Sequence, residues 1–593
     1  MKRTNHLPRG AFFLLWCLFF FSPVTSYGTL HDDPHGILEE AYNKGVTNWW
    51  GYSVLLLKEG KNRGGEEGLR LMEFTPRLTP DLPAAHIETA LYRWQLRPWE
   101  FYTPLRGYFE GGRALLRNPP LLVVHGLELL YLLSLAVVVS TAILSAVLLF
   151  KALPLFMRAG PVGRALRITL LGMPLLLRVS LPWVLLLWGV FLWPYVRKGA
   201  KIALVIALVA LTYLPSFTGE LSRRLAGETG VTLFDLYEMN YGIREKALWD
   251  RLLEREKRGF DRDLYLTLAV GYKREGNYQE AEGRLRSLLS RLPGDADAWC
   301  NLGNVLLIEG MVEEAIKAYR KAISYRPNEG IYYYNLSKAL MQHSIFFLPE
   351  ASAAFRKATD LAPKEIALQL QRESPHPNRF LLDAPLRRGE ILSRGLKDLW
   401  QQGMMELIWG VWLQDLSPRL PYVHPLAILG LVILLILLRP TASQRRCAMC
   451  GRIFSGLYSQ REGTKAICLR CATVLRGREK DLPAREETVR RIKAFARREG
   501  RILRVMLHLP GMAHLWEGYY LSGWFLSLLA STAVLAMSYP HGVLPHPYLP
   551  EPGFPAALPL WGLLLIGLYW GARRDALRRE HKEVLKPPFY VGI

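Results

Sequence analysis

Four of the six cysteines in this 593-residue chain lie between positions 447 and 471. Cys447 and Cys450, then Cys468 and Cys471, form C-x2-C-x17-C-x2-C in the stretch CAMCGRIFSGLYSQREGTKAICLRC. Each C-x2-C turn points two sulfurs at one centre, and two such turns supply the donors of a closed tetrahedral Zn2+ site. With every position filled by thiolate there is no place for a reacting water, so the expected role of Zn2+ is structural. Four thiolates on one dication leave an excess of negative charge, which Arg445, Arg446, Arg452, Lys465 and Arg470 are close enough in sequence to offset. The other two cysteines stand apart, Cys17 in an apolar N-terminal stretch and Cys300 alone, so a disulfide framework is a poor reading.

The elements that must hold this site are short. Gly451 after the first pair suits a tight knuckle, and the residues between the pairs can form a hairpin that closes the tetrahedron. On these residues the segment 442–482 resembles zinc ribbons as a class, which implies a small metal-dependent fold and, for many members, nucleic-acid binding. Residues 440–513 hold 17 Lys and Arg against 6 acids. That charge permits nucleic acid, but the cytoplasmic flank of a membrane span is expected to be basic in any case, so nucleic acid is the less favoured partner. The following segment, 483–509, places Val489, Ile492, Ala496, Leu503 and Met506 near one face of a basic amphipathic helix. That face fits either an anionic lipid surface or packing on the ribbon and on the helices that follow.

Half of the residues are hydrophobic and they fall in blocks, the pattern of a multi-pass membrane protein. Residues 1–26 carry the basic, apolar and small-residue order of a signal peptide or N-terminal anchor. Residues 27–120 read as a helical domain on the exported side. Residues 121–217 contain spans at 121–150 and 168–196, with a further candidate at 201–217. A span at 421–441 and a hairpin at 510–575 follow, and 576–593 is a basic tail. Both flanks of the hairpin are basic, which places them, and the cysteines with them, in the cytoplasm. The region 218–420 then falls on the exported side, provided that 168–217 makes an odd number of crossings. The expected home is the cytoplasmic membrane of a bacterium.

The region 218–420 carries an internal period. Tyr265, Trp299 and Tyr333 are spaced by 34 residues, and each opens a similar pattern. In the middle unit Trp299, Leu302, Gly303, Leu306, Gly310, Ala315, Tyr319, Ala322 and Pro327 match the tetratricopeptide repeat signature, and 262–366 resembles that family. The segment 27–120 resembles it in degenerate form. The third unit slips by two residues in MQHSIFFLPEA, which predicts an enlarged turn between its helices. The resemblance implies an α-solenoid whose concave groove holds a peptide or partner protein, with Lys273, Asn304, Tyr334 and Lys338 on the groove side. Cys300 and the tryptophans read as packing residues.

The expected fold class is therefore mostly α: a polytopic membrane protein with a tetratricopeptide α-solenoid and a small zinc-ribbon insert. Weaker candidates for chemistry are Arg178 inside an apolar block, the acidic start with His31, Asp32, Asp33 and His35, and His541 and His546 in a Pro-rich loop. Solvation or snorkelling accounts for each of them. Pro510, Gly511, Gly518 and Gly523 resemble the PG-x6-G entry of small two-span membrane modules. The sequence carries no P-loop, G-x-S-x-G, H-E-x-x-H or c-type haem motif, so no catalytic set is on offer and no enzyme is expected. Its expected function is a membrane scaffold for assembly of an envelope complex. The rival is a membrane-bound regulatory or nucleic-acid-binding module acting through the basic ribbon.

Overall fold

A computed structural model describes residues 34–156, 188, 193, 196, 198–226, 228–401, 444–455, 459–462, 465–476, 481–539 and 558–584. The expected signal segment 1–26, the span at 421–441, most of 168–196, and Arg178, His31, Asp32, Asp33, His541 and His546 lie outside the described residues. The described residues are predominantly helical.

In chain order the helices begin with α1 (Pro34–Asn43), α2 (Trp50–Arg63), α3 (Gly65–Met72), α4 (Thr75–Leu78), α5 (Pro83–Leu96) and α6 (Thr103–Arg117). Two long apolar helices follow, α7 (Pro119–Phe156) and α8 (Lys198–Ala226). Next come α9 (Glu228–Tyr241), α10 (Lys246–Glu256), α11 (Arg262–Arg274), α12 (Tyr278–Arg291), α13 (Ala296–Ile308), α14 (Val312–Tyr325) and α15 (Gly330–His343). A 3-10 turn at Ile345–Phe347 leads to α16 (Leu348–Leu361), α17 (Pro363–Arg372), α18 (Pro377–Phe380) and α19 (Arg388–Gln401). Two antiparallel pairs, β1 (Gln444–Arg446) with β2 (Ile453–Ser455) and β3 (Ser459–Glu462) with β4 (Lys465–Cys468), carry the cysteines. The last helices are α20 (Leu469–Leu475), α21 (Leu482–Met506), α22 (Met512–Glu517), α23 (Tyr520–Ser538) and α24 (Leu558–Val584).

The chain divides into two compact units: residues 1–126 with 222–403 and 544–556, and residues 127–221 with 404–543 and 557–593. In the first unit the 34-residue period is written into the helix ends. Asp261 caps α11 by accepting from the Asp263 and Leu264 amides, and Asp295, one period later, caps α13 by accepting from the Ala298 amide. Gly276 and Gly310, again one period apart, take φ of 83° and 84° where the first helix of each pair turns into the second. Tyr319 fills the space that Gly303 leaves; a Cβ on that glycine would lie 2.6 Å from Tyr319 Cε1. The slip in the third unit becomes the 3-10 turn between α15 and α16.

The N-terminal helices and the repeats belong to the same unit. Tyr241 accepts from the Thr47 and Asn48 amides through its carbonyl, and Leu57, Met72, Leu82 and Leu121 share one core with Leu233, Leu236, Tyr237 and Leu386. Asp81, almost fully buried, accepts from Asn48 Nδ2 (2.9 Å), Tyr237 OH (3.1 Å) and Arg388 Nη2 (2.6 Å), and it pairs with Arg117 Nε at 3.0 Å.

In the second unit α7, α8, α22 and α23 share a core in which Ala200, Ala203 and Ala207 of α8 are fully buried. The outward faces stay apolar, with Leu135 and Val139 on α7 and Ile202, Val205 and Val209 on α8 exposed. Apolar residues on every face suit lipid surroundings. Three helical segments among the described residues are long and apolar enough to cross a bilayer: Pro119–Leu155, Lys198–Ser222 and Tyr520–Ser538. The second arm of the expected hairpin is α24, which packs on α23. Its apolar start runs on into ARRDALRREHKEV as one helix, and it is not among those three.

Candidate functional site

The cysteines converge. The four Sγ atoms lie within 4.8 Å of one another, and Cys447, Cys468 and Cys471 are buried. Arg452 carbonyl accepts from the Cys447 amide (2.8 Å), Cys447 carbonyl accepts from the Gly451 amide (3.1 Å), and Gly451 takes φ 69°, which closes the first knuckle. The Cys468 amide donates to Cys447 Sγ at 3.4 Å, joining the two knuckles. Cys450 and Cys468 sulfurs are 3.8 Å apart. A tetrahedron with metal–sulfur bonds of about 2.3 Å has sulfur–sulfur edges of about 3.8 Å, so the donor set fits a metal ion.

Three layers support the knot. Ile467 and Ala472 complete its small buried core, and Met449, Phe454 and Ile492 pack against it. Ile492 belongs to the basic helix α21. Phe495, on the same helix, lies so close to the first knuckle that a Cβ on Gly451 would meet its Cε2 at 2.6 Å. Arg446 stacks over Phe495 at 5.0 Å and pairs with Glu499 at 3.6 Å. Further along α21, Leu503 and Met506 pack against the core of α7, α8, α22 and α23. Of the two occupants weighed for the apolar face of 483–509, the protein itself is the one found at these positions.

The PG-x6-G residues build the entry to α23. The short helix α22 lies between Gly511 and Gly518, and the carbonyl of Gly523 sits 2.3 Å from where a Cβ on Gly511 would be. Lys151 of α7 reaches the last carbonyls of α22, at Leu515 (3.3 Å) and Trp516, which is where a cation best meets a helix C-terminus.

Across the first helices of the repeats, α11, α13 and α15, runs the chain's own segment 381–387, an extended strap between α18 and α19. Asparagines hold its main chain at every second residue. Leu382 amide donates to Asn335 Oδ1 (3.0 Å), Ala384 amide to Asn301 Oδ1 (3.0 Å), and Leu386 amide to Asn240 Oδ1 (3.2 Å). In return, Leu382 carbonyl accepts from Asn304 Nδ2 (2.9 Å) and Asn335 Nδ2 (2.7 Å), Ala384 carbonyl from Asn301 Nδ2 (2.7 Å), and Leu386 carbonyl from Tyr241 OH (2.9 Å). Tyr319 OH, donating to Asn304 Oδ1 at 2.8 Å, orients that amide from the repeat core. The alternation follows the two-residue period of an extended chain.

Between these rungs Asp383 points inward. It pairs with Lys273 Nζ at 2.9 Å and Arg274 Nε at 2.7 Å, and Leu381 and Leu386 are buried beside it. Burial pushes its carboxyl up, but the two cations outweigh burial and hold it at about 2. For Lys273 burial wins, and its pKa is lowered despite the carboxylate.

Each of the four groove residues named from sequence therefore meets the chain itself. Lys273 and Asn304 touch the strap. Tyr334, fully buried, donates to Glu373 Oε2 at 3.4 Å, and Lys338 pairs with Glu373 and lies 5.4 Å from the Phe380 ring. Sequence reasoning missed Asn240, Asn301, Asn335 and the strap. The signal was available for two of them, since Asn301 and Asn335 are one 34-residue period apart. Cys300 is fully buried at the same level and accepts weakly from Asn335 Nδ2 at 3.4 Å, a packing residue rather than a reactive thiol.

Two family models of the tetratricopeptide repeat match the chain, one over residues 262–305 and one over residues 296–329. Repeats of this family generally bind protein or peptide partners and are typically non-enzymatic scaffolds. Among curated proteins no match to the chain is found.

Proposed function

We propose that this protein is a membrane-embedded tetratricopeptide-repeat scaffold that mediates protein–protein interaction in assembly of a bacterial envelope complex. The observation that carries the reading is the asparagine ladder. Asn240, Asn301, Asn304 and Asn335 bind the backbone, not the side chains, of an extended segment, so the groove accepts many sequences of the right shape. Lys273 and Arg274 add one requirement, an acidic residue at the level of Asp383. The strap is the resting occupant, and a partner peptide enters by taking its place.

The partition of the chain supports a membrane role. The N-terminal helices and the repeats share one core and the Asp81 cluster, so they lie on one side of any membrane. A shared core requires an even number of crossings over 121–217, hence an odd number over 168–217 if 121–150 crosses once. This agrees with the parity demanded by the basic flanks, which puts the repeats outside the cytoplasmic membrane and the cysteine knot inside. In the knot Zn2+ is the ion expected, held by Cys447, Cys450, Cys468 and Cys471 in a structural role.

A labelled peptide copying residues 379–387 tests the groove. It should bind full-length protein weakly, bind more tightly when Leu381→Ala and Leu386→Ala loosen the strap, and lose that gain when Asn301→Ala and Asn335→Ala are added. No binding by the loosened variant would refute the groove as a peptide site.

A further inference from the structure

α6 is built inside out for a helix facing water. Its buried positions are small: Gly107, Gly111 and Ala114. A Cβ on Gly107 would lie 2.3 Å from Ala90 Cβ, and one on Gly111 would lie 2.6 Å from Ile87 Cγ1, so α6 is pressed onto α5 at backbone range. Three of its large apolar residues point away from the protein, Leu105, Phe109 and Leu116 at 75, 60 and 70 % exposed, while Leu115 packs against the core that holds Leu57 and Tyr237. Trp99, Phe101 and Tyr102, in the turn before the helix, are 72, 79 and 58 % exposed. Helices that meet through small residues and turn large apolar ones outward follow the rule for lipid surroundings. Arg106, Glu110 and Arg113 keep this helix from being a span.

Two observations say what covers this face. Arg106 and Arg113 are exposed among the apolar residues, with Arg113 stacked over Phe109 at 4.3 Å and paired at 3.1 Å with Glu110, so apolar stems and an excess of cationic ends occur together as they do at an anionic headgroup layer. The patch also ends where a candidate span begins. Asn118 alone separates α6 from α7; its side chain accepts from the Leu121 amide at 3.2 Å and donates to the Asp81 carbonyl at 3.2 Å, fixing that junction to the helical body. Arg117, the last residue of α6, is tied to Asp81 and to the Pro80 carbonyl (2.7 Å). Aromatic residues concentrate at the level where a span meets the headgroups.

We infer that α6, with Trp99, Phe101 and Tyr102, is an interfacial helix that lies in the headgroup layer of the membrane and seats the N-terminal helices and repeats on its anionic lipids. The inference rests on the membrane reading above. Its partner is the lipid surface itself. The apolar side chains insert, Arg106 and Arg113 meet phosphates, and Gly107 and Gly111 let α5 follow closely behind.

The test uses full-length protein in nanodiscs of phosphatidylglycerol and phosphatidylethanolamine, with photoreactive benzoylphenylalanine in place of Leu105, Phe109, Leu135 or Phe346, one position at a time. Leu135 is lipid-facing in α7 by the membrane reading, and Phe346, 89 % exposed, lies in the turn between α15 and α16. After illumination, mass spectrometry should find lipid adducts at 105, 109 and 135, each several-fold more abundant than at 346. Adducts at 135 with only the 346 background at 105 and 109 would overturn the inference and leave the membrane reading standing. Background at 135 as well would remove both. Adducts to protein instead of lipid at 105 and 109 would also overturn it, in favour of a partner chain or a second copy.

Discussion

Replacing Asp383 by Asn keeps the shape of the strap and removes its charge. Lys273, 3 % exposed, then loses its ion-pair partner at 2.9 Å, and Arg274, 6 % exposed, loses its carboxylate while keeping the carbonyl of Asn240. Breaking a buried pair from one side costs about 3–5 kcal/mol, because the remaining charge is stranded out of water. At about 1.4 kcal/mol per decade, the strap should open roughly a hundred to several thousand times more often. Hydrogen exchange on the full chain reads this at three amides, Leu382, Ala384 and Leu386, whose only cover is asparagine oxygen. The double variant Lys273→Met with Asp383→Asn should recover much of the protection, since it removes the stranded charge as well. The pH dependence has a definite sign. A carboxyl held at about 2 instead of 3.8 contributes about 2 kcal/mol that is present above about pH 4 and is lost as the pH falls toward 2. Exchange at the three amides within twofold of the unmodified protein in Asp383→Asn would refute the reasoning, because the strap would then not be held by its buried charge.

Other perturbations follow from the same geometry. Asn335→Ala removes the acceptor of the Leu382 amide and one of the two donors to its carbonyl, which keeps Asn304 Nδ2; the amide left unpaired costs about 1–3 kcal/mol, read as a lowered melting temperature of the first unit and faster exchange at Leu382. Gly303→Val forces a side chain onto Tyr319 and displaces its hydroxyl from Asn304, so it should destabilise by about 1–3 kcal/mol and weaken the rung at Leu382. Cys471→Ser, or a strong chelator, should melt the knot and release Ile492 and Phe495 of α21, seen as new protease cleavage between residues 476 and 500 with the repeats unaffected.

The repeats and the knot were legible because each is written in residue types with few other uses. A 34-residue spacing of aromatic, small and proline residues has one common structural meaning, and so do two C-x2-C pairs. The strap was not legible, since FLLDAPLR carries neither a helical nor a strand period and its hydrogen bonds come from side chains more than 40 residues away. The groove residues Lys273, Asn304, Tyr334 and Lys338 could be placed on a helix face by period alone, whereas their buried partners could not. The basic helix after the knot shows the limit of amphipathic reading. Its stripe of Ile492, Leu503 and Met506 would look the same over lipid as over protein, and only the packing against the knuckle and the α7–α8 core distinguishes them. α6 shows the converse, because spacing alone does not tell an outward stripe of Leu105, Phe109 and Leu116 from the core face of a soluble helix. The buried Gly107 and Gly111 opposite reveal which side faces the protein.

The most direct measurement is the sidedness of three epitopes in intact cells, inserted singly in the exposed turn at Gly64, in the turn at Gly310, and after Val584. An antibody added from outside the cytoplasmic membrane should reach the first two and not the third. Epitopes at 64 and 310 that are both closed to that antibody, with the one after 584 open to it, would contradict the placement of the repeats and with it the proposed scaffold outside the membrane.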